Sequence, residues 1–262
     1  MRRRLAILAA MTAPIVAAAG CGYPAFTFNG HDSGTGAVSG SSTSASGAGG
    51  AATTSSSSSS AGASSGGAGC MIGHLLISEI RTHGPGGAAD EFVELYNATS
   101  QSVLLDSLWS LEGRAVDPPV TSYTARWKGK GGTIPAYGHY LIAGSSGSYT
   151  GPPGDDKLST GITDGASLRL LHNGSPVDAI CYYHANNFGM AGSFLDVFNP
   201  YTCEGLPAPN PHDGTSGTDT DVSLERPPGG TLGNCTDTNH NDTDFKMQSP
   251  STPLGKSDAP TP

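Results

Sequence analysis

The chain has 262 residues, 36% hydrophobic and 13% charged, and its 22 Asp and Glu against 13 Lys and Arg leave a formal net charge of −9. Three of the positive charges, Arg2, Arg3 and Arg4, sit at the extreme N-terminus. The remainder is therefore more acidic still and lacks the clustered Lys and Arg that phosphate contact needs, which argues against nucleic acid as a partner. The 38 Gly and 19 Pro fit an all-β exported domain with many turns.

The chain opens "MRRRLAILAAMTAPIVAAAGC". Its apolar run, Leu5 to Ala19, is shorter than the roughly 20 residues of a bilayer span and no stop-transfer run follows, so residues 1–20 read as a secretory signal peptide. The stretch "AAGC" resembles the lipobox of bacterial lipoproteins, with Ala18 where leucine is usual. That resemblance implies a diacylglycerol and an N-acyl chain on Cys21, and several alkyl chains together make a stable membrane anchor. Gly22 follows where the inner-membrane retention rule of enteric lipoproteins calls for aspartate, which points to the outer membrane. Residues 21–69 form a linker, almost wholly Ser, Gly, Ala and Thr from Ser33 onward. Such a composition predicts a flexible coil, and about 37 residues of it reach roughly 35 Å.

Residues 70–258 carry the folded domain, and 259–262 a short tail. In chain order the strand signals are "HLLISEI", "EFVELYN" after a Gly-rich turn, "SVLLDSLWSLEG", "GGTIPAYGHYLIAG", the hairpin "GASLRLLHNGSPVDAICYY" turning at "HNGS", and the late segments "TDVSLERP" and "TDFKMQSPSTP". No window sustains a helical period, so about seven to nine strands in a sandwich are expected. Segment 114–132 reads as a long loop whose "ARWKGKGG" is an exposed hairpin tip, and 184–221 as a large insertion.

In "EFVELYN", Val93 and Leu95 face one way while Phe92, Glu94 and Tyr96 face the other. Glu94, flanked by two aromatics on its face, is expected to be partly buried and to need a partner, for which the planar fork of Arg226 in "SLERP" is the candidate. Glu91 and Glu94 point to opposite faces, so they cannot flank one substrate bond as glycosidase acids do, and nothing in the sequence brings Glu79 to either.

Beyond Cys21 there are four cysteines, an even number that argues for two disulfides with three possible pairings. Cys181–Cys203, closing the insertion, and Cys70–Cys235, tying the start of the first strand to the last third, are the favoured pairs. No Cys-x-x-Cys spacing supports zinc. The run "DTNHNDTDF" has the Asp-x-Asn-x-Asn opening of a calcium loop, but Asp242 replaces the required glycine and Gln248 the bidentate glutamate. A calcium site of another kind, on Asp237, Asp242 and Asp244, is the metal candidate; the other reading is a solvated turn. The eight histidines, among them His83, His139 and His212, show no ligand spacing. Serines among glycines, as in "GSSGS", lack the strand-to-helix setting of a nucleophile elbow.

Taken in order, "LLISEI", "EFVELYN", "SLWSLEG", "GHYLIAG", "ASLRLLHNGSPVDAICY", "SLERP" and "DFKMQSPSTPLG" resemble the lamin tail domains of bacterial secreted proteins, over about residues 75–255. The resemblance implies an immunoglobulin-like β-sandwich with, here, long loop insertions. It leads to a non-catalytic envelope lipoprotein, tethered to the membrane through its lipid anchor and binding an envelope protein or glycan through its loops. The alternatives are a metal-assisted exported hydrolase with its site in 184–221, which a chelator would inactivate, and a self-associating structural envelope protein.

Overall fold

The computed structural model describes residues 72–184, 194 and 196–261. Among them the strands are, in chain order, β1 (Leu75–Arg81), β2 (Phe92–Asn97), β3 (Val103–Leu105), β4 (Trp109–Ala115), β5 (Thr124–Lys128), β6 (Gly132–Ile134), β7 (His139–Ala143), β8 (Asp156–Lys157), β9 (Ala166–His172), β10 (Ser175–His184), β11 (Ala208–Asn210), β12 (Ser223–Glu225) and β13 (Lys246–Gln248). The one α-helix among the described residues, α1, is a single turn, Asn241–Asp244. No described helix is long and apolar enough to cross a membrane.

The strands build an all-β sandwich. One sheet has the order β13-β12-β1-β2-β7-β8, the other β11-β10-β9-β4-β5, and β3 pairs with β6 apart from both. All pairings are antiparallel except β7 with β8 and β10 with β11. The expected hairpin is β9–β10: Asn173 and Gly174 both take positive φ, 52° and 78°, the mirror-image turn that matches strand twist and that Asn-Gly supplies at low cost. The 13 described strands exceed the expected seven to nine chiefly because several are only two or three residues long, such as β3, β6, β8 and β11, and because 114–132 is not all loop. Thr124 to Lys128 form edge strand β5, whose Trp127 is buried in the core rather than displayed at a tip.

One apolar core fills the space between the sheets. Leu75, Ile77, Ile80, Val93, Leu95, Ile142 and Leu224 come from the first sheet, and Leu111, Trp127, Leu168, Leu170, Ile180 and Tyr182 from the second. Period-2 alternation sets most of these. In β1 it fails, since Ile77 and Ile80 are three apart; the register shift between Ile77 and Glu79 makes Ser78 an extra residue that restores the phase, which is what a bulge does. A second shift, between Pro176 and Asp178 in β10, lets Val177 pack on the core while Asp178 shares the inward parity of Ile180 and Tyr182.

Both outer faces are covered as well. On the second sheet, Cys181 and Tyr183 have outward parity and pack with Val116, Phe194 and Tyr201 beneath the insertion. On the first, the C-terminal segment lies across the strands: Leu254 N–H donates to Glu94 Oε2 at 2.5 Å, and Tyr96 Oη–H donates to the Thr261 carbonyl at 2.5 Å.

Candidate functional site

The insertion is fastened at its base. Cys181 and Cys203 form a disulfide, as the sequence predicts, with Cα atoms 5.2 Å apart. Arg114, from β4, donates to the carbonyls of Val120, Asn199 and Pro200, and its guanidinium lies 3.6 Å from the centre of the Tyr201 ring. Asp196 caps the turn by accepting from the N–H groups of Phe198 and Asn199, each at 3.1 Å. On this braced turn Val197 is 82% and Phe198 97% exposed. No motif marked these two residues; the only sequence signal is an apolar pair inside a polar, Pro- and Gly-rich insertion.

The expected Glu94–Arg226 ion pair does not form. Arg226 has the parity of Leu224, so it points between the sheets, whereas Glu94 points away from them. Arg226 instead meets Asp178 of the opposite sheet, Nη2 to Oδ1 2.8 Å, with both side chains fully buried. Its Nε donates to the Ile77 carbonyl at 2.9 Å, Nη1 donates to the Thr236 carbonyl at 2.9 Å, and its face lies 4.5 Å from the Phe245 ring centre. Glu204, Asp237 and Asp244 complete the ring around it at 3.4, 3.5 and 3.5 Å. Burial, and then Asp178 beside it, push the Glu204 carboxyl up to about 9.

This arrangement bears on the calcium reading. Glu204, Asp237 and Asp244 offer oxygens within 4.8 Å of one another, so two of the three expected residues do converge. Asp242 does not join them, and a guanidinium already lies among the three carboxylates where a cation would sit. Asp244 is further committed to its own turn, accepting from Thr238 N–H at 2.8 Å and His240 N–H at 3.1 Å. The residues present fit an arginine, not a calcium ion, which prefers six or more free oxygens.

The outer face of the first sheet holds a second acidic group that the sequence did not reveal. Glu79 lies directly opposite both Glu225 and Glu94 on the neighbouring strands, and the three carboxyls are nearly inaccessible to water. No Arg or Lys pairs with them among the described residues. Their partners are neutral: the Ser223 hydroxyl and Thr252 N–H donate to Glu79 Oε1 at 2.5 and 3.0 Å, the Ser78 hydroxyl donates to Glu94 Oε1 at 2.5 Å, and Gly230 N–H donates to Glu225 Oε1 at 2.5 Å. Glu79 Oε2 has no partner among the described residues. Burial, with Glu225 beside it, raises the Glu79 carboxyl to about 8, and burial with Glu79 beside it raises Glu94 well above its ordinary value. The His139 ring, 3.7 Å from Glu94, is held below its ordinary value by burial, and its Nε2–H donates to Asn234 Oδ1, 2.9 Å away.

A third acid, Glu91, sits just before β2 beside a shallow pocket of about 70 Å³ lined by Ala89, Gly144, Ser145, Ser146, Leu158 and Gly161. Its Oε2 accepts from Ile162 N–H at 2.8 Å. Burial pushes this carboxyl up to about 7, against the opposing pull of that N–H. Nearby, His83 Nδ1 lies 2.7 Å from Asp164 Oδ1, but the hydroxyl in that group, Thr82, donates to Asp164 at 2.5 Å rather than to the imidazole. That is a structural tie, not a nucleophile and base.

Two sequence expectations fall outside the described residues: lipidation of Cys21 and the Cys70–Cys235 pairing, since Cys70 is not described, although Cys235 is itself disulfide-bonded. No protein-family model matches the chain, and a search of curated proteins finds no relative.

Proposed function

We propose that this chain is a non-catalytic binding module of the cell envelope: an exported lipoprotein, anchored through Cys21, whose immunoglobulin-like sandwich of lamin-tail type presents the turn 196–199 to a protein partner. The observation that carries this reading is the exposed Val197–Phe198 pair on a turn braced by a disulfide, a buried arginine and an Asp cap. A free aromatic side chain on a loop that is already ordered loses little entropy on docking, which is how rigid scaffolds convert a few side chains into affinity. The acidic charge of the domain favours a partner with a basic rim.

The test is site-specific photocrosslinking in the native host. A photoreactive residue at Phe198 is expected to give a discrete adduct, whereas one at Leu232, which is 69% exposed on another segment, gives none. Equal labelling from both positions, or none from Phe198, would overturn the binding role of the turn. The anchor is tested separately by intact mass and membrane fractionation, with Cys21→Ala expected to release the protein from the membrane.

A further inference from the structure

We propose that the pocket beside Glu91 binds a primary ammonium group on an unbranched methylene stem, such as a lysine side chain carries. The site is built from other segments than the 196–199 turn and stands independently of the function proposed above.

Three features of the pocket select this ligand. Glu91 is only 6% exposed, and while Oε2 is engaged by Ile162 N–H, Oε1 accepts no hydrogen bond from any described residue. Its approach is made possible by Gly161, where a Cβ would fall 2.5 Å from Oε1, so the chain keeps a glycine where any side chain would fill the space in front of the carboxyl. The rest of the wall offers the hydroxyl of Ser145, the hydroxyl oxygen of Ser146, which also donates to the Ala89 carbonyl and accepts from Ser148 N–H, and the apolar surface of Leu158 and Ala89. An ammonium has three donors and no acceptor; one meets Oε1 and the others meet serine oxygens, while the stem lies along Leu158. A guanidinium is disfavoured because its fork wants both carboxylate oxygens and one is taken. A divalent cation is disfavoured because a single carboxylate lines the pocket. The volume, about 70 Å³, is far below the range of about 300–1,000 Å³ typical of drug-sized ligands, and suits only a chain end.

Around Glu91 the charged and titratable groups are His83, from the β1–β2 connection, Arg126 of β5, Asp164 before β9 and Tyr182 of β10, whose hydroxyl burial holds well above its ordinary value. None forms an ion pair with it among the described residues: Arg126 donates to Thr160 Oγ1 and the Gly161 carbonyl, and His83 is engaged by Asp164. The carboxyl is thus buried without a countercharge, and burial holds it near neutrality. An arriving ammonium supplies the missing charge and favours the ionised form, so affinity must rise with pH.

The experiment is a titration of the isotope-labelled full-length protein, followed by amide resonances, with n-butylamine, Nα-acetyl-lysine amide and Nα-acetyl-arginine amide. Saturable shifts at Gly144, Ser145, Gly161 and Ile162 are expected with both amines and not with the arginine derivative. With the carboxyl titrating at about 7, binding at about pH 5.5 is expected to be roughly twentyfold weaker than at about pH 7.5, in proportion to the ionised fraction. Glu91→Gln, which keeps the shape of the protonated side chain, is expected to abolish the shifts. Glu112→Gln, on the surface of β4, is expected to leave them intact. Gly161→Ala gives a second route, since its methyl occupies the space in front of Oε1 and is expected to weaken binding. Tighter binding of the lysine derivative than of butylamine supports a polypeptide source; equal binding supports any primary amine. No saturable shift at about pH 7.5, equal shifts with the arginine derivative, or shifts that survive Glu91→Gln would each overturn the proposal.

Discussion

The ring around Arg226 and the glutamate row on the outer face place nearly the same chemical burden on the fold and resolve it in opposite ways. Between the sheets, Asp178, Glu204, Asp237 and Asp244 share one guanidinium. On the outer face, Glu79, Glu94 and Glu225 share no Arg or Lys among the described residues and rely on hydroxyls and backbone N–H groups, with burial raising Glu79 to about 8 and Glu94 well above its ordinary value. A buried carboxylate needs a countercharge or it needs a proton. The first solution rests chiefly on a single side chain, with Glu204 alone in the ring raised to about 9; the second rests on neutral donors, among them the N–H groups of the C-terminal segment.

The largest effect that would break this contrast is Arg226→Met. It strands Asp178 and its neighbours without a cation, and loss of one partner from a buried ion pair costs about 3–5 kcal/mol; urea unfolding should show that loss. An unchanged midpoint would mean that the ring contributes nothing to stability. The next effect is the pH profile. The folded-state carboxyl of Glu79 titrates at about 8, above the unfolded value of about 4.3, so its contribution is fully present below the unfolded value and is lost as pH rises toward 8. The slope is up to about 1.4 kcal/mol per pH unit for one such group, and Glu79→Gln should flatten it. A profile with the same slope in the variant would locate the proton elsewhere. The smallest effect is Glu94→Gln. Burial, with Glu79 beside it, raises that carboxyl well above its ordinary value, and Gln keeps its shape and remains neutral, so the change should lie within about 1 kcal/mol, measured by thermal melting at about pH 7.

The sequence disclosed what is local. The alternation in "EFVELYN" gives the faces of Val93, Leu95 and Tyr96 correctly, "HNGS" gives the β9–β10 turn, and the length of the insertion gives Cys181–Cys203. What it hid depends on which strands are neighbours. Glu79, Glu94 and Glu225 are far apart in the chain and meet only because β1 lies between β2 and β12. The bulge at Ser78 shifts the phase of Glu79 in a way that periodicity alone does not register. The Arg226 error was avoidable: Leu224 and Arg226 share a face, and so do Asp178 and Ile180, so parity alone turns arginine and aspartate toward one another across the core. The Asp237–Asp242–Asp244 grouping failed for a related reason, since α1 sends Asp242 and Asp244 in different directions while Glu204 arrives from a loop far back in the chain.

The C-terminal segment has a consequence for how the protein assembles. Thr252 and Leu254 supply donors to Glu79 and Glu94, and Thr261 N–H donates to the Tyr137 carbonyl at 2.7 Å. With residues 249–261 undocked, the N–H groups of Thr252 and Leu254 are withdrawn from Glu79 and Glu94, and a glutamate reached by water ionises near its ordinary value. Covering Glu79, whose carboxyl rises to about 8 when buried, is therefore coupled to proton uptake. Docking of residues 249–261 is thus linked to protonation at Glu79, and its equilibrium should weaken as pH rises toward about 8.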